Sequence, residues 1–599
     1  MTFEMILVMG VLFVAILMFI FEWVRVDVVG IIMMVVLPLL GLVTPKEAIS
    51  GLSSNAVVSI IAVIIIGAGL DKTGVMNSLA RLILKFAGKS ESRIIALISG
   101  TVAFISSFMQ NIGAAALFLP AVRRIARQTN IPVPRILMPM GFCAIIGGCI
   151  TLVGSSPLIL LNDLMKVVGD YQPFGLFSVT PLGLALTAAG ILYFIFLGRY
   201  ILPAKASEEK YGPLSPVLAK TYGEIGDLYE LHIPDSFKEQ SLKAIDLRPL
   251  YFCTVVAIAK GTTRQRVFAP EPDEFLGPGD DIAVVGPREL VEKLAQDYGW
   301  KLKKELEVFA EDLSPNNAGI MEAIVTPRSQ LVHHTLKEFK FRRRFGVNPM
   351  AIFRRDKIFI SGISDIELLP GDALLLFGRW EKFHFLKEKP DFAFTEPVKG
   401  EIINTEKAKW ALGCLVVSLV MILGFHVQLS IALLTGALGM VITKVLTIDE
   451  AYDSVDWMTV FLLGGLIPLG VAFQNTGAAK FIADSIMSAL GSVSPLTLFI
   501  VIGLLTSFFT LVVSNVGCTV LMVPLSMNMA IKAGADPRIA ALVVAVAASN
   551  TFVLPTHQVN ALIMRPGGYR TIDYVKAGSG MTILYLVVMI AGLALFYGF

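Results

Sequence analysis

Long apolar runs separated by short polar breaks fill both ends of the chain, near 4–22, 28–43, 53–70, 94–109, 136–153, 176–198, 411–425, 429–446, 457–473, 495–513, 539–554 and 581–598. Each is long enough to cross, or nearly cross, a hydrocarbon core of about 30 Å, so the pattern predicts a polytopic α-helical membrane protein. Between 203 and 409 the pattern changes. Stretches such as Thr254-Val255-Val256-Ala257-Ile258 and Asp281-Ile282-Ala283-Val284-Val285 predict strands, and Gly277-Pro278-Gly279-Asp280 predicts a turn between them. About two-thirds of all Lys, Arg, Asp and Glu fall in this region, which reads as an α+β soluble insert between two membrane halves. The first run has Glu4 ahead of it, Glu22 after it and no basic leader, so a retained helix is expected rather than a cleaved signal peptide.

Composition agrees with that division. The 599 residues are 55% hydrophobic and 16% charged, with a mean hydropathy of +0.72, whereas soluble domains carry roughly 25% charged residues. A net charge of +3 gives no reason to expect a nucleic-acid partner. The five cysteines, at 143, 149, 253, 414 and 518, have no paired metal spacing, so neither a disulfide framework nor a metal centre is implied.

The chain repeats itself. Phe108-Met109-Gln110-Asn111-Ile112-Gly113, closed by Pro120, returns as Val512-Val513-Ser514-Asn515-Val516-Gly517, closed by Pro524, at an offset of 404. Asp71-Lys72-Thr73-Gly74 lines up with Gln474-Asn475-Thr476-Gly477, and Thr151-Leu152-Val153-Gly154-Ser155-Ser156-Pro157 with Phe552-Val553-Leu554-Pro555-Thr556-His557-Gln558. One unit of about 110 residues is therefore present twice, the usual construction of a secondary transporter. Arg123, Arg124, Arg127 and Arg135 follow the first motif, whereas Lys532 and Arg538 lie beside Asp536 in the second, and this difference fits inverted topology. The insert is also duplicated: Gly277-Pro278-Gly279-Asp280 and the strand after it recur at Leu369-Pro370-Gly371-Asp372.

An amide two residues before glycine inside an apolar run costs hydration energy unless it finds a partner. At an interrupted helix, glycine allows the backbone to unwind, free N–H groups favour an anion, and amide, hydroxyl and carbonyl oxygens suit a hard cation such as Na⁺. Ser106, Ser107, Gln110 and Asn111 are the candidates in the first copy, and Thr510, Ser514 and Asn515 in the second; the plainer alternative is that they join helices. The polar breaks at Gly154-Ser155-Ser156-Pro157 and Pro555-Thr556-His557-Gln558 supply groups for a substrate. His557 is either structural or a hydrogen-bond donor or proton carrier. The basic run Arg342-Arg343-Arg344 reads as a solvated face.

These motifs resemble the divalent anion:sodium symporter family, over both membrane halves, and each insert copy resembles the C-terminal lobe of regulator-of-potassium-conductance domains, also called TrkA-C. The resemblance implies two inverted repeats with re-entrant hairpins and a homodimer in the plasma (inner) membrane. It also implies an elevator-like carrier and no enzyme activity. Its domains would be a membrane half 1–202, linker 203–222, TrkA-C-like domains 223–298 and 316–388 joined by 299–315, linker 389–409, and a membrane half 410–599, with the insert cytoplasmic. Carried over by position, sodium would be bound by Ser106, Gln110, Asn111, Gly154, Thr510, Ser514, Asn515 and Pro555. Substrate would meet Asn111, Gly113, Ser155, Ser156, Asn515, Gly517, Thr556 and His557. No cofactor is implied beyond Na⁺ as coupling ion, with a nucleotide such as a cyclic dinucleotide as the insert's ligand.

The chain departs from the family's Ser-Asn-Thr hallmark. Gln110-Asn111-Ile112 and Ser514-Asn515-Val516 lack both threonine hydroxyls, and each lost hydrogen bond to a charged group is worth about 1.5–3 kcal/mol. That disfavours a dicarboxylate and leaves sulfate as the expected dianion. Di- or tricarboxylate symport, metalloid efflux and Na⁺/H⁺ exchange are the alternatives. A ligand-gated channel is disfavoured because no Gly-Tyr-Gly-like filter occurs.

Overall fold

The computed structural model describes the chain except residues 22, 76–89, 130, 204–225, 246, 262, 264, 304–305, 310–311, 314–316, 356, 397–404, 492 and 599. Most of the expected linker 203–222, and parts of 299–315 and 389–409, lie outside the described residues. The chain forms two compact units, Met1–Glu208 with Ile403–Phe599, and Glu209–Ile402.

The described part of the first unit is helical. Among the described residues, seven helical segments are long and apolar enough to cross a membrane: Phe3–Phe21, Pro45–Lys72, Thr180–Ile201, Trp457–Asn475, Pro495–Val512, Asn515–Ala533 and Thr571–Tyr597. Val26–Leu39, Pro134–Gly147, Leu429–Ile442 and Pro537–Ala547 are apolar but shorter than the runs that predict them. The physical reason is clearest in the central pair. Pro134–Gly147 and Pro537–Ala547 are buried almost throughout, and the apolar sequence continues past their ends into irregular backbone at 148–155 and 548–557. Apolarity marks burial on all sides and does not report where the helix stops.

Local signals also recur at the repeat's offset. Thr44 and Glu47 form a capping box that starts Pro45–Ser50, and Thr447 and Glu450 form the same box at Ile448–Ser454. The duplication therefore extends upstream of the sequence landmarks. Lys72 then pairs with Glu450, linking the end of the helix Asn55–Lys72 to the second box.

The second unit holds two lobes with one strand order. In the first, β1 (Asp227–His232), β2 (Thr254–Ala259), β3 (Arg266–Phe268), β4 (Asp281–Gly286) and β5 (Lys301–Leu302) lie in the order β3-β2-β4-β1-β5, all antiparallel. In the second, β6 (Ala318–Val325), β7 (Asn348–Arg354), β8 (Lys357–Phe359), β9 (Ala373–Arg379) and β10 (Phe392–Phe394) lie in the order β8-β7-β9-β6-β10. Val256 and Ala257 of the first sheet share a buried cluster with Met350 and Phe377 of the second. At the Pro-Gly-Asp turns, Gly279 and Gly371 adopt φ of 75° and 88°. Each aspartate closes its turn backwards: Asp280 accepts from Gly277 N and Asp372 from Leu369 N.

The basic run also departs from expectation. Arg342 turns inward and donates to Pro270 O at 2.8 Å, and Arg344 lies 4.3 Å from the centre of the Phe339 ring. Arg343 and Arg344 are exposed and keep the reading of a solvated face, so Arg342 alone departs from it.

Candidate functional site

Both asparagine motifs are tips between helices. Glu91–Ser106 ends before Ser107–Gln110, and Asn111 opens the next helix; Pro495–Val512 ends before Val513–Ser514, and Asn515 opens the next. Gly113 and Gly517 sit in the first turns, where an added Cβ would come within 3.0 Å of Met109 and Val513 respectively. The glycines let each tip fold onto its own helix.

The tips build two matching clusters of oxygen. The Ser106 hydroxyl lies 2.7 Å from Asn111 Oδ1 and 2.7 Å from the Ala144 carbonyl. The Thr510 hydroxyl lies 2.9 Å from Asn515 Oδ1 and 2.9 Å from the Ala548 carbonyl. All three pairs of equivalent residues are 404 positions apart. A hydroxyl carries one proton, so each cluster has three oxygens and a single hydrogen to share. Excess acceptors facing one another are what a hard cation relieves. Among the described residues no group of three His, Cys, Asp or Glu is placed to hold a metal ion, so a cation here must be bound by neutral oxygens.

The irregular stretches complete the surroundings. A Cβ at Gly148 would stand 2.9 Å from Asn111 Oδ1 and 3.0 Å from the Gly154 carbonyl, which brings that carbonyl beside the first cluster. Thr151 donates to the Ser107 carbonyl, holding the loop to the tip. In the second copy Asn550 bridges Ser507 and Thr582, and Asn560 donates to the Thr551 carbonyl. Tyr585 links the first stretch to the helix that precedes the second, since its hydroxyl donates to Val546 O at 2.9 Å and lies 3.4 Å from Cys149 Sγ.

The remaining candidates divide. Ser155 caps the helix Ser156–Val168 in extended conformation without a side-chain cap bond, and its buried Oγ has no hydrogen-bond partner. Ser156 belongs to that helix, and Thr556 is exposed. His557 Nδ1 accepts from Val559 N at 3.2 Å, capping Gln558–Met564, so the neutral ring carries its proton on Nε2. Ser514 accepts from Gly517 N at 3.2 Å and is a cap, and Ser107 donates to Phe104 O at the end of its own helix. Gln110 is half-buried at its tip, and Pro555 lies in the second irregular stretch.

Sequence reading missed three groups. The Ala144 and Ala548 carbonyls carry no side-chain signal. Thr551 is buried with an unpartnered Oγ1; its signal was the polar pair Asn550-Thr551 just before the second break.

Apolar helices, two interrupted helix pairs and clusters of neutral oxygen at the interruptions define a membrane transporter. The chain belongs to the CitMHS citrate transporter family, whose model matches residues 16–547, and it is an integral membrane protein. It is 31% identical to the uncharacterized transporter sll0640 of Synechocystis sp., over 99% of this chain and 97% of that one. It is 30% identical to the uncharacterized transporter YfbS of Escherichia coli over the full length of both. Sodium/sulfate cotransporter 1 of Chlamydomonas reinhardtii is 24% identical over 59% of this chain and 41% of its own.

Proposed function

We propose that the protein is a Na⁺-coupled symporter of a small dianion, with sulfate as substrate. The observation that carries this reading is the pair of oxygen clusters at Ser106, Asn111 and Ala144 and at Thr510, Asn515 and Ala548, each short of hydrogens and free of formal charge. Sulfate is supported by the apolar Ile112 and Val516 at the tips, which leave backbone N–H groups and His557 Nε2–H to surround one compact anion. Ser155 Oγ is a further donor. The relative named as a sodium/sulfate cotransporter fits the same choice.

Inverted repeats, an elevator-like movement and a homodimer in the plasma membrane belong to this proposal. So does a cytoplasmic insert of two TrkA-C-like domains that regulates transport. The duplicated tips and the shared strand order of the two lobes support it. A tricarboxylate such as citrate is the second reading, favoured by the family to which the chain belongs.

Uptake of radiolabelled sulfate into proteoliposomes, with an inward Na⁺ gradient and with K⁺ in its place, tests the proposal. Accumulation that needs Na⁺ is the expected result. Accumulation of citrate but not sulfate would transfer the reading to the tricarboxylate, and no sulfate accumulation under any cation gradient would sink it.

A further inference from the structure

Four helices of the first unit bring their ends to one corner. Glu91, in the first turn of Glu91–Ser106, stands between two arginines. Arg199 Nη2, near the end of Thr180–Ile201, lies 3.3 Å from Glu91 Oε2, and Arg135 Nη1, in the first turn of Pro134–Gly147, lies 3.7 Å from Glu91 Oε1. The fourth helix, Asn111–Thr129, ends close in sequence to Pro134, so its last two turns, with Arg123, Arg124 and Arg127, reach the same end of the bundle. With Arg93, these helix ends carry six arginines and one carboxylate, and Glu91 is already shared between two of them. The corner holds a surplus of positive charge.

Its depth follows from the helix that carries Arg199. Thr180–Ile201 is long and apolar enough to span a bilayer and leaves Leu192, Phe196 and Leu197 exposed, as a lipid-facing surface does. Tyr200, 86% exposed, ends that surface where aromatic side chains mark the boundary between hydrocarbon and water. Arg199 beside it is 68% exposed. A long basic side chain in that place keeps its stem on apolar surface and its charge in the polar layer, among headgroups.

The duplication supplies an internal comparison. At the offset of 404, Arg93, Arg123, Arg124 and Arg127 fall on Thr497, Met527, Asn528 and Ile531. The cations that remain at the second copy's corner are offset by carboxylates: Lys532 pairs with Asp484 at 2.7 Å, and Arg538 follows Asp536 closely in sequence. The helix pair with its tip therefore forms without the arginines, and their mutual repulsion has no return inside the fold. Anionic lipid at the surface supplies one, because each basic residue at headgroup depth is drawn to it.

We propose that this corner docks anionic phospholipid, with phosphate oxygens of the headgroup accepting from the outward N–H groups of Arg199 and the neighbouring arginines adding attraction. Lipid bound there holds the outer ends of the two helices that meet at the Asn111 tip. The proposal rests on the membrane-spanning fold and not on which anion is transported.

Native mass spectrometry of the full-length protein in detergent, titrated with phosphatidylglycerol or with phosphatidylcholine of the same chains, tests it. The first phosphatidylglycerol is expected to bind about tenfold more tightly than phosphatidylcholine, and Arg199→Gln to weaken it about fivefold. Arg199→Lys keeps the charge and is expected to weaken it less than about twofold, while Arg93→Gln, which leaves both Glu91 pairs in place, weakens it about threefold. Lys532→Gln at the second corner should change nothing. Equal binding of the two lipids, unchanged binding in both Arg199→Gln and Arg93→Gln, a loss in Arg199→Lys as large as in Arg199→Gln, or an equal loss in Lys532→Gln would each overturn the proposal. Inorganic phosphate binding as tightly as phosphatidylglycerol would assign the corner to a soluble anion and overturn it as well. Failure here leaves Na⁺-driven sulfate uptake untouched.

Discussion

The carboxylate of Asp163 accepts a hydrogen bond from the backbone N–H of Ala56 at 2.7 Å. Ala56 lies in the first turn of Asn55–Lys72, and Asp163 lies on Ser156–Val168, the helix that Ser155 caps. The bond ties the helix that follows the first irregular stretch to a second helix, and the helix N-terminus favours the negative charge by about 0.3–1 kcal/mol. Asp163→Asn keeps an acceptor and loses the charge, whereas Asp163→Ala loses both. Anion uptake is expected to fall severalfold in the asparagine variant and by more than tenfold in the alanine variant. Equal effects in a reconstituted uptake assay would show that charge, not position, is what matters.

Removing one oxygen from a cluster should act on the cation. Ser106→Ala and Thr510→Ala each leave two carbonyl-type oxygens facing each other without the hydroxyl between them. The Na⁺ concentration for half-maximal uptake is expected to rise about tenfold in each, equivalent to about 1.4 kcal/mol, with a smaller change in the anion KM. A titration of uptake against Na⁺ reads this directly.

Gly148→Ala puts a methyl group against Asn111 Oδ1 and the Gly154 carbonyl. Overpacking of this kind costs about 1–3 kcal/mol. Uptake is expected to fall at least tenfold while the protein still purifies as a folded species, judged by its thermal midpoint in detergent.

His557→Asn separates two roles of one side chain. Asparagine is a good helix cap and can accept from Val559 N, but it lacks the reach of an imidazole Nε2–H. The anion KM should rise severalfold with the thermal midpoint nearly unchanged. A fall in thermal stability with unaltered KM would assign His557 to capping alone.

In the insert, Glu230 is fully buried and accepts from the backbone N–H groups of Glu307, Val308 and Phe309 as well as from Lys303. Burial opposes the Lys303 charge, yet hydrogen bonds to Asp281 and Glu230 outweigh it and raise its pKa. Glu230→Ala leaves that ammonium one partner short and is expected to cost about 3–5 kcal/mol. Denaturant unfolding of the variant, with faster proteolysis around 303–309, checks it.

Much of the fold was written in local pattern. The strands at Thr254–Ala259 and Asp281–Gly286 followed from short apolar runs bounded by turn residues, and the tips at Asn111 and Asn515 from a polar pair inside apolar sequence. Helix ends at Gly147 and Ala547 were not legible, because burial continues where hydrogen-bonded helix does not. Ala144 and Ala548 were invisible as site residues, since every residue has a carbonyl and only the surrounding fold decides which one is left facing a hydroxyl.

By itself the sequence determined that the chain is a duplicated membrane protein with a charged α+β insert, because hydropathy, charge density and a constant offset are properties of residue order. Tertiary structure alone decided which polar groups are used up and which remain available. Ser514 and Ser107 turned out to serve their own helices, while Ser106 and Thr510 each face two acceptors. The hydroxyls are alike in sequence and differ only in whether folding brings them an asparagine oxygen and a distant carbonyl or a group of their own helix.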